Sequence, residues 1–189
     1  MLNFRHVLIL ISLVASAAQA SGQAPTLQQP LPYLSIEDRG ELVLENDEFS
    51  FQTWTTDSLP AKVNVIQYFG GTMADSKIFE PFTDRLQESL EADSFHVTTI
   101  INLDAAMWGT TGFVVSEVKS NKRKYPLSTI VLDEEGSGVR HWQLGEKGAG
   151  LAILDRAGKL FYFTRAALSE SEMHEALELV RSLVSSTTH

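Results

Sequence analysis

Apolar residues fall along this chain in a few distinct rhythms. Residues 7–14 are an almost unbroken apolar run, preceded by Arg5 and His6 and followed by Ala18-Gln19-Ala20. Residues 21–32 hold three Pro and three Gln with few large apolar positions, and read as a flexible or extended lead-in. Residues 33–37 and 41–44 alternate apolar and polar around Asp38-Arg39-Gly40, the pattern of a strand–turn–strand hairpin. Phe49, Phe51 and Trp54 continue in extended style to a turn at 57–61 that contains Pro60. The runs KVNVIQYF (62–69) and HVTTIINL (96–103) are apolar and β-branched, as buried parallel strands are. Between them Ile78, Phe82, Leu86 and Leu90 recur every four residues. That spacing predicts a helix from the break at Gly70-Gly71-Thr72 to about Glu91, kinked at Pro81, whose missing N–H removes the bond to the Lys77 carbonyl.

Residues 104–112 read as a long loop and 113–124 as a helix stopped by Pro126. Strands are expected at 127–132 and 139–144, joined by Asp133-Glu134-Glu135-Gly136, and again at 151–154 and 159–163, joined by Asp155-Arg156-Ala157-Gly158. A last helix starts at Ser169, which has capping-box spacing to Glu172, and carries the stripe Met173, Leu177, Val180, Val184. This order predicts an α/β fold: a three-layer α/β/α sandwich with a mixed central sheet and an N-terminal β-hairpin, as one domain over 33–189.

Composition narrows the function classes. The chain has 189 residues, 15 Lys and Arg against 24 Asp and Glu, and no Cys. The net charge of −9 disfavours a nucleic-acid partner, which needs a basic face. A short positive start, an apolar stretch and a small-x-small end are the three parts of a secretory signal, so residues 1–20 are expected to be removed between Ala20 and Ser21. The run is too short to span a bilayer as a helix, and no later segment matches one, so no stable membrane anchor is expected. Loss of Arg5 takes the mature charge to −10, and the expected location is the periplasm. Such compartments permit disulfides, yet the absence of Cys excludes them, along with thiol nucleophiles and thiolate metal sites.

The element order is similar to that of the thioredoxin fold in its extended form, found in peroxiredoxins and in membrane-tethered thioredoxins of cytochrome maturation. The segment from Gln67 to Lys77, QYFGGTMADSK, falls on the redox segment of those proteins without a gap. Lys77 and Pro81 fall on its lysine and proline, and Met73 and Ser76 on its two cysteines. Ala149, ahead of LAILDRAGK, stands in the place of the cis-proline. The chain over 33–184 also resembles the YtfJ family of secreted thioredoxin-like proteins, on DRGELVL at 38–44, Asn46-Asp47, Phe49-Ser50, Thr53-Trp54, Ser120-Asn121-Lys122, Tyr125-Pro126 and Trp142-Gln143-Leu144. That resemblance implies the fold and brings no agreed catalytic residues. Thiol–disulfide exchange needs a thiolate, which neither Met73 nor Ser76 supplies, so the resemblance implies a redox-silent member.

Candidate binding residues are therefore those of the degenerate redox-motif edge: Gly70, Gly71, Thr72, Met73, Asp75, Ser76 and Ala149. Two readings fit them. In one, Gly70-Gly71 and exposed amides at a helix start form a pocket for a ligand. In the other, Thr72 or Asp75 caps the helix and the loop is a relict. Met107 and Trp108 could join that edge as apolar contacts or pack as a lid. Lys119, Lys122, Arg123 and Lys124 suit either a helix C-terminus or an acidic partner, and Phe49, Phe51 and Trp54 either the core or a partner surface. The four His beyond residue 20 show no i, i+2 or i, i+4 pair, so no metal or other cofactor is expected. There is no G-x-S-x-G elbow and no catalytic residue is assigned. The expected role is a binding or accessory module whose partner is a periplasmic protein or peptide. The alternative is an enzyme with non-thiol chemistry at the C-terminal edge of the sheet.

Overall fold

The computed structural model describes residues 22–106 and 109–186. The expected signal and its Ala20–Ser21 cleavage point lie outside the described residues, as do Met107 and Trp108. Seven strands form one mixed sheet: β1 (Ser35–Glu45), β2 (Glu48–Thr55), β3 (Val63–Gly70), β4 (Phe95–Asn102), β5 (Thr129–Asp133), β6 (Gly150–Leu154) and β7 (Leu160–Thr164). Their order is β2-β1-β5-β4-β3-β6-β7, with β3, β4 and β5 parallel and every other pair antiparallel. Four α-helices accompany them: α1 (Glu80–Ser89), α2 (Thr111–Lys124), α3 (Ser137–His141) and α4 (Glu170–Ser185).

Strand alternation sends β3 side chains Val63, Val65 and Phe69 to one face and Ile66 and Tyr68 to the other, and each face buries its own core. The first core takes Phe82 and Leu86 of α1, Val118 of α2, and Met173, Ala176, Leu177 and Val180 of α4. Helices α1 and α2 share this face because the two crossovers β3-α1-β4 and β4-α2-β5 step across the sheet in one direction with one hand. The second core is closed by Trp142 and Leu144 just after α3, by Leu34, and by Leu31 and Leu59 at its margin. One outer layer is thus three helices, and the other is a single short helix with extended chain. Among the described residues, no helix is long and apolar enough to cross a membrane.

Three local expectations are corrected. Residues 33–44 do not fold as a hairpin about Asp38-Arg39-Gly40. They are one strand with a bulge between Ile36 and Glu41, and the hairpin turns at Asn46-Asp47, both at positive φ. Gly40 sits in the bulge at φ 73°, where a Cβ would run into the Gln52 carbonyl of β2. Pro81 does not kink a long helix. A separate 3₁₀ turn spans Asp75–Lys77, and Pro81 lies in the first turn of α1, where its missing N–H costs nothing. Residues 139–144 are not a strand, because Asp133 Oδ1 accepts from Ser137 N and Oδ2 from Gly138 N, both at 2.8 Å, and winds the chain into α3. By contrast, Ser169 caps α4 with both bonds of the capping box present.

The lead-in runs extended at its C-terminal end. Gln28 N donates to Leu160 O at 2.7 Å, Leu160 N to Gln29 O at 2.9 Å, and Trp142 Nε1 to Pro32 O at 3.0 Å.

Candidate functional site

Strands β3, β4 and β5 all end on the same side of the sheet, and antiparallel β6 begins there. This edge collects the loop 70–76 after β3, residues 102–106 after β4, residues 133–137 after β5, and residues 145–149 before β6. Gly70, Gly71, Thr72, Met73, Asp75, Ser76 and Ala149 therefore lie along one edge, as sheet topology requires.

Within the loop the polar groups are spent on the loop itself. Thr72 Oγ1 donates to Asp75 Oδ2 at 2.6 Å and accepts from Asp75 N at 3.1 Å. Ser76 N donates to Thr72 O at 3.1 Å, and Ser76 Oγ to Met73 O at 3.0 Å. The two glycines make room for neighbours in the same chain. A Cβ on Gly70 would lie 2.6 Å from Asp75 Oδ2, and one on Gly71 would lie 3.1 Å from the Asn102 carbonyl that already accepts from Gly71 N. The carboxylate of Asp75 thus fills the space before Gly70. The loop enters a three-residue 3₁₀ turn rather than a long helix, so the macrodipole available to an anion here is small.

Two features of the edge face outward. Met73 is 73% exposed, and among the described residues only Phe113 and Leu127 are large apolar side chains more exposed than it. Beside it an open cleft of about 560 Å³ is lined by Ala74, Asp75, Lys77, Ile78, Ala105, Glu146 and Lys147. Its walls carry two acids and two amines around a small apolar floor. Lys77 also pairs with Glu80 at 3.5 Å. Ala149 is buried in the first core at the entry to β6 and offers the cleft no side-chain contact surface of its own.

Sequence reading missed a polar cluster at the ends of β3 and β5. Asp133 is fully buried; besides the two α3 amides it accepts from Tyr68 Oη at 2.7 Å. Burial, the Asp133 charge and its hydrogen bond raise the Tyr68 pKa far above the usual phenol range. The Tyr68 ring meets Trp142 edge-on at 6.3 Å. A signal existed: an Asp closing an apolar strand four and five residues before Ser137-Gly138 suits capture of backbone amides as well as it suits a turn.

At the opposite end of the sheet, His96 Nε2 meets Thr129 Oγ1 at 3.0 Å, and burial followed by the charges of Lys62 and Lys122 lowers its pKa. Lys122 is buried and donates to the Ser128 carbonyl at 2.7 Å. The basic cluster is largely used within the chain, since Lys119 and Arg123 lie 5.4 and 4.5 Å from the centre of the Phe49 ring and Arg123 meets Asp47 at 3.4 Å. Trp54 belongs to the second core, Phe49 packs on the first, and Phe51 stays exposed. Among the described residues no group of three His, Cys, Asp or Glu side chains is placed to hold a metal ion.

The comparisons with known proteins agree with the fold. The family model described as "Bacterial protein of unknown function (YtfJ_HI0045)" matches residues 26–183. "Uncharacterized protein YtfJ" of Escherichia coli strain K12 is 32% identical over 184 residues, 97% of this chain and 100% of that one. An uncharacterized protein of Haemophilus influenzae is 29% identical over 180 residues, 95% of this chain and 98% of that one. Among solved structures, a thiol-disulfide isomerase from Corynebacterium glutamicum superposes with a TM-score of 0.55 at 17% identity, over 82% of this chain and 96% of that one. At that identity the likeness shows the fold alone, and the fold is thioredoxin-like.

Proposed function

This chain belongs to the YtfJ family of bacterial proteins of unknown function, and from that premise we propose that it is an exported, non-redox binding or accessory module of the periplasm. The site is the edge that redox-active members of the fold use for chemistry, here used for contact with a protein or peptide. The observation that carries the reading is the exposed Met73 with the open cleft of about 560 Å³ beside it, at the loop whose resemblance to the redox segment sets Met73 and Ser76 where that segment has cysteines. Methionine is unbranched and polarisable, so it adapts to varied apolar partners. The mixed charges of Asp75, Lys77, Glu146 and Lys147 give a polar rim around it, as binding surfaces have. An enzyme would need polar groups free to meet a substrate. The best-placed ones on this edge, Asp75, Asp133 and Asn102, are held by Thr72, by Tyr68 and α3, and by Asp104 N.

The test is a photo-crosslinking amino acid at position 73 in cells that export the protein, with position 88 on α1 as control. Adducts specific to position 73 that vanish when Lys147→Glu is added support the site. Equal adducts from both positions, or none at 73, refute it.

A further inference from the structure

The two edges of the sheet are finished differently. At the β7 edge, the lead-in pairs with the start of the strand and the turn before it, through the bonds of Gln28, Gln29 and Leu31 to residues 158–160. At the other end, β2 pairs only with β1 among the described residues. Its free side runs for eight residues, Glu48–Thr55, with no Lys, no Pro and one charge, at the hairpin end. A row of unpaired N–H and C=O groups is a template for another strand, and proteins ordinarily guard it with Lys, Pro, a bulge or a covering segment. The bulge in this hairpin lies on β1, so the free side of β2 carries none of these guards.

We propose that this edge joins two copies of the chain, β2 to β2 and antiparallel, about a two-fold axis normal to the sheet. The pairing of Leu42 with Phe51 and Leu44 with Phe49 puts Phe49, Phe51 and Thr53 on one face, and Ser50 and Gln52 on the other. A two-fold axis normal to the sheet keeps like face with like face, so paired residues must share the parity of their numbers. Centred on Phe51, the register sets Phe51 against its own copy, Phe49 against Thr53 and Ser50 against Gln52. Aromatic and β-branched cross-strand pairs of this kind stabilise antiparallel sheets. The only charge, Glu48, falls opposite Trp54, so no like charges meet. Arg39 lies 5.9 Å from the centre of the Phe51 ring and is paired with Glu134 at 2.9 Å, so the two copies bring neutralised ion pairs to the axis rather than bare cations.

A single edge strand buries less than the ~1,200 Å² of a standard interface, and a net charge of −9 on each copy repels. Association is therefore weak, and salt strengthens it by screening that repulsion.

Sedimentation velocity of the purified protein from about 10 µM to about 1 mM reads this directly. The average mass is expected to climb toward that of a dimer, further at about 0.5 M salt than at about 0.05 M. Phe51→Lys sets two ammonium groups opposite each other and should weaken association by at least about tenfold with the thermal midpoint little changed. Arg156→Glu, near the other edge, should leave it alone. Amide exchange in β2 should slow with rising protein concentration. A monomer throughout, a dimer indifferent to Phe51→Lys, or β2 amides protected only when a different protein is added would each overturn the proposal.

Discussion

Tyr68 carries more of the second core than its ring area suggests, because its hydroxyl ends on a carboxylate that also nucleates α3. Tyr68→Phe keeps the contact with Trp142 and removes the bond to Asp133. The expected cost is about 2 kcal/mol at neutral pH, the range for a hydrogen bond to a charged partner. The pH dependence has a definite sign. The folded-state pKa of Tyr68 is raised, by burial first and then by Asp133. Its contribution is present in full below the unfolded phenol value near 10 and is lost as pH rises above it. Urea melts of the two proteins should differ most at neutral pH, and the gap should narrow in steps above about pH 10. A constant gap across that range would show that Tyr68 does not titrate this way. At this scale the sequence was only partly legible. Zero Cys, Met73 and Ser76 are read straight from the letters. The engagement of Asp75 by Thr72 follows from their local spacing, whereas that of Asp133 by Tyr68 requires knowing which strand ends lie near each other, which single residues do not encode.

Among the elements, most were readable, half-exposed α2 and β7 included, and the departures lie at turns and helix starts. β3, β4 and α4 announced themselves through continuous apolar runs or a capped four-residue rhythm, because packing dictates every position. The turn chemistry of Asp38-Arg39-Gly40 is used for a bulge and the hairpin turns at Asn46-Asp47 instead, with Gly40 at φ 73°. Gly40→Ala would need both a positive φ and a displaced Gln52 carbonyl, so a loss of about 2–3 kcal/mol is expected from denaturant melts. A near-neutral result would mean that β1 is a plain strand there. The loop 72–77 gives a second test. Met73 and Ser76 lie one turn apart, joined by the Ser76 Oγ to Met73 O bond. Met73→Cys with Ser76→Cys should therefore form a disulfide under mild oxidation, since such spacing suits the ~5.5 Å Cα separation required. Because a short 3₁₀ turn replaces the long helix expected there, the thiol at 73 should titrate near the ordinary value of about 8.5 rather than well below it. Thiols that never pair would displace the register on which the edge is built.

For the whole molecule, layer order and sheet type followed from the alternation of strand and helix patterns, and the mixed seven-stranded sheet agrees. The uneven outer layers did not follow, since α3 and the lead-in share no strong periodicity. The proposed export rests on residues 1–20 and has its own check. The intact mass of protein recovered outside the cytoplasm should correspond to a chain beginning at Ser21. A species that keeps residues 7–14 would refute that. The same lead-in sets an order of events for a chain that crosses a membrane N-terminus first. Gln28 and Gln29 exchange backbone bonds with Leu160, 132 and 131 residues away. Loop closure over such separations is slow compared with local structure, so the covered edge is among the last parts to settle. While the chain threads through a channel, the partners of its first residues have not yet emerged. The clasp over the start of β7 can therefore close only on a chain delivered almost in full, and a copy truncated before β7 keeps at most the bonds of Trp142 and Gln143 to its beginning.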